Sequence, residues 1–161
     1  MNKKLLFVGI AIIIFVFIIG IYITNKNQEE IPTYISPSPE EVVRQYFVAW
    51  NNKNYPDMYT TISDGFKKIE PTAKDLASFK EYVDSQNIER VEIVSIDEKS
   101  SDGKTALVDY SVKFILNIAS GNQVVKLEDN YNGTFTLKYR QGDVISGWKL
   151  IHPYGDNIDS S

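Results

Sequence analysis

Ala106-Leu107-Val108-Asp109-Tyr110-Ser111-Val112-Lys113-Phe114-Ile115-Leu116-Asn117 is the longest alternating run in the chain. Successive strand side chains point to opposite faces. Ala106, Val108, Tyr110, Val112, Phe114 and Leu116 therefore share one face, and Asp109, Ser111, Lys113 and Asn117 the other. One dry and one wet face is the pattern of an antiparallel sheet covered on one side. Arg90 to Glu98 reads as the strand before it, joined through the turn Ser101-Asp102-Gly103. Ser120-Gly121-Asn122 turns the chain back, and Val125, Leu127, Tyr131, Phe135, Leu137 and Tyr139 keep period two. Gly133 inside that run predicts a bulge or bend, because glycine weakens a strand interior. Gln141-Gly142-Asp143 makes another turn, and Val144 to His152, stopped by Pro153, is the last strand.

The residues before these strands have helical spacing. Ser38 is placed as an N-cap, Pro39 suits the first helical position, and Glu41 completes a capping box. Val42, Val43, Tyr46, Phe47 and Trp50 then form one apolar face. Asn51-Asn52-Lys53-Asn54 breaks this helix. A second covers Tyr55 to Ile62, with Met58, Tyr59 and Ile62 facing inward, and Ser63-Asp64-Gly65 reads as its stop. Thr72 is the expected cap of a third, with Asp75 at the reciprocal position and Leu76, Phe79, Tyr82 and Val83 as its apolar face, ending near Asn87. Helices grouped first and strands afterwards predict an α+β fold: three helices on one face of a curved antiparallel sheet of about four strands.

Leu5 to Ile23 is a different kind of segment. Its 19 residues carry no charge and are almost wholly Ile, Phe, Val and Leu. At ~1.5 Å per residue a helix of this length covers most of a ~30 Å hydrocarbon core. Lipid offers the backbone no hydrogen bonds, which favours a helix despite the β-branched residues. Lys3 and Lys4 precede the run, whereas Lys26, Glu29 and Glu30 follow it. The positive-inside rule then puts the N-terminus in the cytoplasm and the domain outside, with Tyr22 as an interfacial aromatic. A cleaved signal peptide is the rival reading, but Ile21-Tyr22-Ile23-Thr24-Asn25 offers no small-x-small cleavage site. The expected organisation is a cytoplasmic tip and membrane anchor over 1–25, a polar stalk with Pro32 and Pro37 over 26–37, the α+β domain over 38–155, and a flexible tail over 156–161.

Composition excludes several chemistries. The residues after the apolar run hold 15 basic and 21 acidic side chains without a basic cluster, so nucleic acid is not an expected partner. The absence of cysteine removes thiolate nucleophiles, disulfides and Cys-ligated zinc, and a single histidine argues against a histidine metal site. No cofactor or metal is expected.

Pro39-Glu40-Glu41-Val42-Val43, Tyr46-Phe47, Ala49-Trp50-Asn51, Asn54-Tyr55 and Met58-Tyr59 resemble the opening of nuclear transport factor 2-like domains. Gly147-Trp148-Lys149-Leu150-Ile151 is similar to that family's last strand. The likeness spans residues 38 to 154. The variety it most resembles is the extracytoplasmic domain ahead of the transpeptidase in some high-molecular-weight penicillin-binding proteins, which also follows one membrane helix; this chain stops where their catalytic domain would begin. The resemblance implies a cone, in which helices close one end of a curled sheet and leave a pocket. It implies a range of activities from isomerases and dehydratases to non-catalytic binding domains.

No catalytic set carries over by motif. His152 shares strand parity with Trp148 and Leu150 and is a candidate general base, or simply a histidine at a strand end. Asp129 falls at core parity between Leu127 and Tyr131; an inward carboxylate there has acid–base potential, unless a bulge near Asp129-Asn130 turns it outward. Tyr46, Trp50, Tyr55, Tyr59, Tyr131 and Trp148 are candidates to line a pocket, or core aromatics. Ser101-Asp102-Gly103-Lys104 matches Ser-x-x-Lys by letters but reads as a turn, and Asn132-Gly133-Thr134 is a glycosylation sequon by letters. The expectation is a membrane-tethered, non-enzymatic domain binding a partner protein or ligand in the cell envelope. The alternatives are an isomerase-type enzyme using the cone pocket and a secretion or conjugation assembly component.

Overall fold

The computed structural model describes residues 36–120 and 123–154. The expected membrane span at 5–23, nearly all of the stalk, the residues between the second and third strands, and the tail lie outside them. Among the described residues no helix is long and apolar enough to cross a membrane.

The helical half comprises α1 (Pro39–Asn51), α2 (Tyr55–Thr60), α3 (Asp64–Ile69), a 3-10 turn (Pro71–Ala73) and α4 (Leu76–Ser85). The start of α1 is as predicted. Ser38 Oγ accepts from Glu41 N at 3.2 Å, and Glu41 Oε2 accepts from Ser38 N at 2.7 Å. This reciprocal pair satisfies two of the orphan donors at the helix end. Ser38→Ala is expected to lower stability by about 1 kcal/mol, measured as a shift in urea midpoint without a change of slope.

Two sequence expectations about where helices start fail in this half, and Leu76 and Tyr82, predicted on the apolar face of α4, are exposed. Ser63-Asp64-Gly65 is a helix start, so the described residues of the domain hold four α-helices where three were predicted. Ser63 Oγ accepts from Phe66 N at 2.9 Å, and Asp64 sits in the first turn, where a carboxylate favours the helix dipole. Serine, aspartate and glycine serve helix stops and helix starts alike, so composition alone does not separate the expected stop from the observed N-cap. Thr72 is not the cap of α4; Asp75 is, accepting from Ser78 N at 2.7 Å. Thr72 is held instead by Glu70, whose Oε1 accepts from its N and Oγ1 at 3.2 and 2.8 Å.

The strands are β1 (Ile88–Ser101), β2 (Thr105–Ser120), β3 (Gln123–Arg140) and β4 (Gly147–Leu150), antiparallel in the order β1-β2-β3-β4. The fold is α+β. Three irregularities punctuate β1 against β2, at Ile88/Arg90, Ile93/Ser95 and Glu98/Ser100, and such bulges bend and twist a strand. The β2–β3 register runs unbroken from Thr105↔Lys138 to Ser120↔Gln123, so the bulge predicted near Gly133 is absent. Val144 and Ile145, predicted as strand, are exposed loop. Asp64 Oδ2 takes the Val144 N–H at 3.1 Å, and β4 begins only at Gly147, whose φ of 142° suits glycine.

The core lies between the helices and one face of the sheet. Val43, Phe47, Met58, Val83, Val108, Val112, Leu137 and Leu150 are fully buried in it. The alternation in β2 is therefore correct over Ala106, Val108 and Val112, while Tyr110, Phe114 and Leu116 are half-buried where the covering helices give way to a cavity. The two halves are tied through Leu150, whose N donates to Thr61 O and whose O accepts from Ser63 N, both at 2.9 Å. Beside them the buried Lys149 donates Nζ to Thr60 O at 2.6 Å. Burial, and then the charge of Lys67, hold the Lys149 ammonium below the ordinary lysine range.

Candidate functional site

The helices cover only part of the sheet, and the remainder is an open cavity of about 850 Å³. Its wall is aromatic because the apolar faces of α1, β2 and β3 meet there. Helix α1 contributes Tyr46, Phe47 and Trp50, α4 contributes Phe79 and Tyr82, and the sheet contributes Tyr110, Phe114, Tyr131 and Phe135. Tyr46 stands edge-on to Trp50 and to Phe135, each at 5.7 Å between ring centres. Tyr110 stacks on Phe135 at 4.5 Å, and Trp50 lies 5.3 Å from Phe114. Edge-to-face and offset pairs of this kind are favourable beyond their burial.

The polar groups of the wall are mostly neutral. Burial pushes the Tyr46 phenol well above its ordinary range, with Tyr82 and Tyr110 adding to the shift. Burial, then Tyr131, pushes Tyr110 up to about 12. The Trp50 indole Nε1 is buried without a hydrogen-bond partner among the described residues. Both phenols are protonated at neutral pH. Their raised values stabilise the folded state fully below the ordinary phenol pKa of about 10, and that contribution is lost as pH rises through the folded values. Alkaline titration at 295 nm should show two tyrosines ionising near pH 12, Tyr55 and Tyr110, and Tyr110→Phe should remove one of them. Thermal stability should fall between about pH 10 and 12.

Of the residues singled out from sequence, Tyr46, Trp50, Asp129 and Tyr131 border this cavity. Trp148 does not; it stands edge-on to Tyr139 at 5.7 Å. Tyr55 and Tyr59 pack on the core, and Tyr59 Oη donates to Ala73 O at 3.0 Å. The unbroken register keeps Asp129 opposite Phe114, on the parity the sequence predicted. Asp129 is exposed and borders the cavity, so it is a carboxylate at the rim.

His152 is half-buried just beyond β4, against Phe66 at 4.9 Å. Its Nε2 lies 3.4 Å from Glu70 Oε2, and its Nδ1 accepts from Tyr154 N at 3.2 Å. Nδ1 is thus the acceptor, and the proton belongs on Nε2 facing Glu70. Hydrogen bonds from Thr72, and after them the contact with His152, hold the Glu70 carboxyl below the ordinary range. Glu70 is the residue that sequence reading missed. It lies 82 positions from His152, and no local spacing signals the pair. Ser101-Asp102-Gly103-Lys104 is a turn, as predicted: Asp102 Oδ1 accepts from Lys104 N and Thr105 N at 2.8 and 2.6 Å. Among the described residues no group of three or more His, Asp or Glu side chains has metal-binding geometry.

No protein-family model and no curated protein matches the chain. Solved structures similar to it include an NTF2-like protein of unknown function in nutrient uptake from Rhodospirillum rubrum. There the identity is 14%, with 71% of this chain and 93% of that one covered, at a TM-score of 0.49. A ketosteroid isomerase-like protein from Erwinia carotovora atroseptica is similar at 17% identity, 69% and 86% coverage and a TM-score of 0.47. A sec-c motif containing protein from Psychrobacter arcticus is similar at 12% identity and a TM-score of 0.47; the match covers 74% of this chain and 61% of that protein.

Proposed function

We propose that this chain is a membrane-tethered binding domain with a nuclear transport factor 2-like cone, non-catalytic, whose cavity receives an apolar, ring-bearing ligand or a partner's aromatic side chain. The finer likeness to the extracytoplasmic domain of penicillin-binding proteins belongs to the same proposal and rests on the sequence motifs and the apolar run at 5–23. The aromatic wall carries the binding reading. Glu70 and Asp129 are the only ionisable acids among the described lining residues apart from the phenols. Glu70 is engaged by Thr72 and His152, and Asp129 stands at the exposed rim. Neither is an unengaged base held within an apolar interior, as proton abstraction at a carbon would need. Both ring nitrogens of His152 are occupied as well. Apolar and aromatic surface, by contrast, is what small-molecule pockets are chiefly made of.

The chain has two tryptophans, Trp50 and Trp148. In the full chain carrying Trp148→Phe, the emission of Trp50 should be quenched saturably by the neutral dye N-phenyl-1-naphthylamine. The Trp50→Phe chain in the same membranes supplies the background from dye dissolved in lipid. Identical, non-saturating quenching of the two chains would refute a ligand cavity. Recovery of the full chain in the soluble fraction without detergent, its first residues intact, would refute the tether.

A further inference from the structure

The two long strands facing outward in the sheet are finished differently. The outer edge of β1 is occupied by side chains of α1 and the loop after it. Val91 N donates to Asn51 Oδ1 at 3.0 Å, Glu98 N donates to Glu40 Oε1 at 2.7 Å, and Ile88 O accepts from Lys53 Nζ at 2.5 Å. Its three irregularities also break the even row of donors and acceptors. Plugging and bulging an edge in this way keeps another strand from adding to it.

The outer edge of β3 lacks these features. Strand β4 covers it only over Leu137 to Arg140, and Ile151 N adds one bond to Thr136 O at 3.1 Å. From 123 to 135 no strand and no side chain among the described residues pairs with that edge. The run has no proline, its register with β2 is unbroken, and residues 125 to 132 are all exposed. Tyr139 N bonds toward β2 and Thr136 O toward β4. By the alternation of a strand, the even residues Lys126, Glu128, Asn130, Asn132 and Thr134 turn their backbone groups outward.

We propose that this edge pairs with the same edge of a second copy of the chain, antiparallel over residues 123–131 and centred on Leu127. Charge selects the register. Centring on Glu128 or on Asp129 sets a carboxylate against its own copy. Centring on Leu127 sets Lys126 opposite Glu128 of the second copy twice by symmetry, as even–even pairs with their backbone groups facing each other. Lys126 would normally deter a neighbouring strand; in this register it recruits one. The same face already holds Lys126 2.8 Å from Glu89 and Lys113 3.3 Å from Glu128, so the junction continues an alternating row of charges. On the cavity face Leu127, 49% exposed, meets its own copy, and Val125, 48% exposed, lies across from Asp129. Two four-stranded sheets become one of eight, with two-fold symmetry.

The chain has no cysteine, so Leu127→Cys introduces its only thiol. Opposed residues of a non-hydrogen-bonded pair lie about 4.5 Å apart at Cα, within disulfide range. Mild oxidation of the full chain, in whichever cell fraction holds it, should give a disulfide dimer for Leu127→Cys and monomer for Val94→Cys, an exposed position on β1. Added to Leu127→Cys, Lys126→Glu should cut the dimer yield about tenfold by turning two attractive cross-strand pairs repulsive. Glu128→Lys on top of it should restore the yield. Equal cross-linking at 127 and 94, stronger cross-linking from Asp129→Cys, or failure of the charge reversal to restore dimer would each overturn the proposal.

Discussion

Phe47→Ala is expected to destabilise the domain by about 3–5 kcal/mol, the usual cost of truncating a buried aromatic. Phe47 is 2% exposed and touches both layers of the fold. Its ring lies 5.3 Å from Tyr46 on its own helix, 5.1 Å from Tyr110 on β2 and 6.0 Å from Phe135 on β3. Truncation removes the wedge between helix and sheet and enlarges the cavity whose wall Phe47 forms. Total stabilities of small domains are about 5–15 kcal/mol, so the variant stands near the edge of folding. Urea unfolding followed by tryptophan emission measures the loss. Phe47→Leu should recover most of it, and equal midpoints for the alanine variant and the parent would show that Phe47 does not join the layers.

Gly133→Ala is expected to cost about 1–3 kcal/mol, the range for overpacking a filled site. Gly133 faces Tyr110 across the β2–β3 ladder. A Cβ built on it would stand 2.5 Å from Tyr110 Oη and 2.7 Å from Cζ. The phenol has little room to yield, because Phe47, Tyr131 and Phe135 pack round it. The sign of the effect should depend on that ring. In a Tyr110→Ala background the obstruction is gone, and Gly133→Ala should become neutral or mildly stabilising, since alanine restricts the unfolded chain more than glycine does. A thermal-melt cycle over the four chains decides it; additive effects would mean that the glycine has a role independent of Tyr110. The substitution should also weaken dye quenching of Trp50, because displacing Tyr110 reshapes the cavity wall.

Much of this architecture is legible in the sequence, because local rules set it. Ser38, Pro39 and Glu41 announce α1 by cap chemistry alone, and the alternation from Ala106 to Leu116 announces β2. Where one residue type serves two local structures, the reading goes astray. Ser63-Asp64-Gly65 is turn chemistry by composition and a helix start by its hydrogen bonds. Gly133 has the composition of a bend and the role of a seat for a cross-strand ring, a pairing known from glycines shielded by aromatics. The cavity was only half legible. Tyr46 and Trp50 follow from helical spacing, and Asp129 from strand parity, whereas its exposure depends on where the helices stop. The contact of Glu70 with His152 joins chain segments with no local relation and is visible only in three dimensions.

The tie at Leu150 has a consequence for biosynthesis. Thr60, Thr61 and Ser63 complete their bonds only with Lys149 and Leu150, and Thr60 precedes Lys149 by 89 residues. A ribosome therefore releases the helical half long before the segment that locks it exists. Until then the sheet that Val43, Phe47 and Met58 pack against lacks β4, and the bonds that tie it to Thr60, Thr61 and Ser63 are missing.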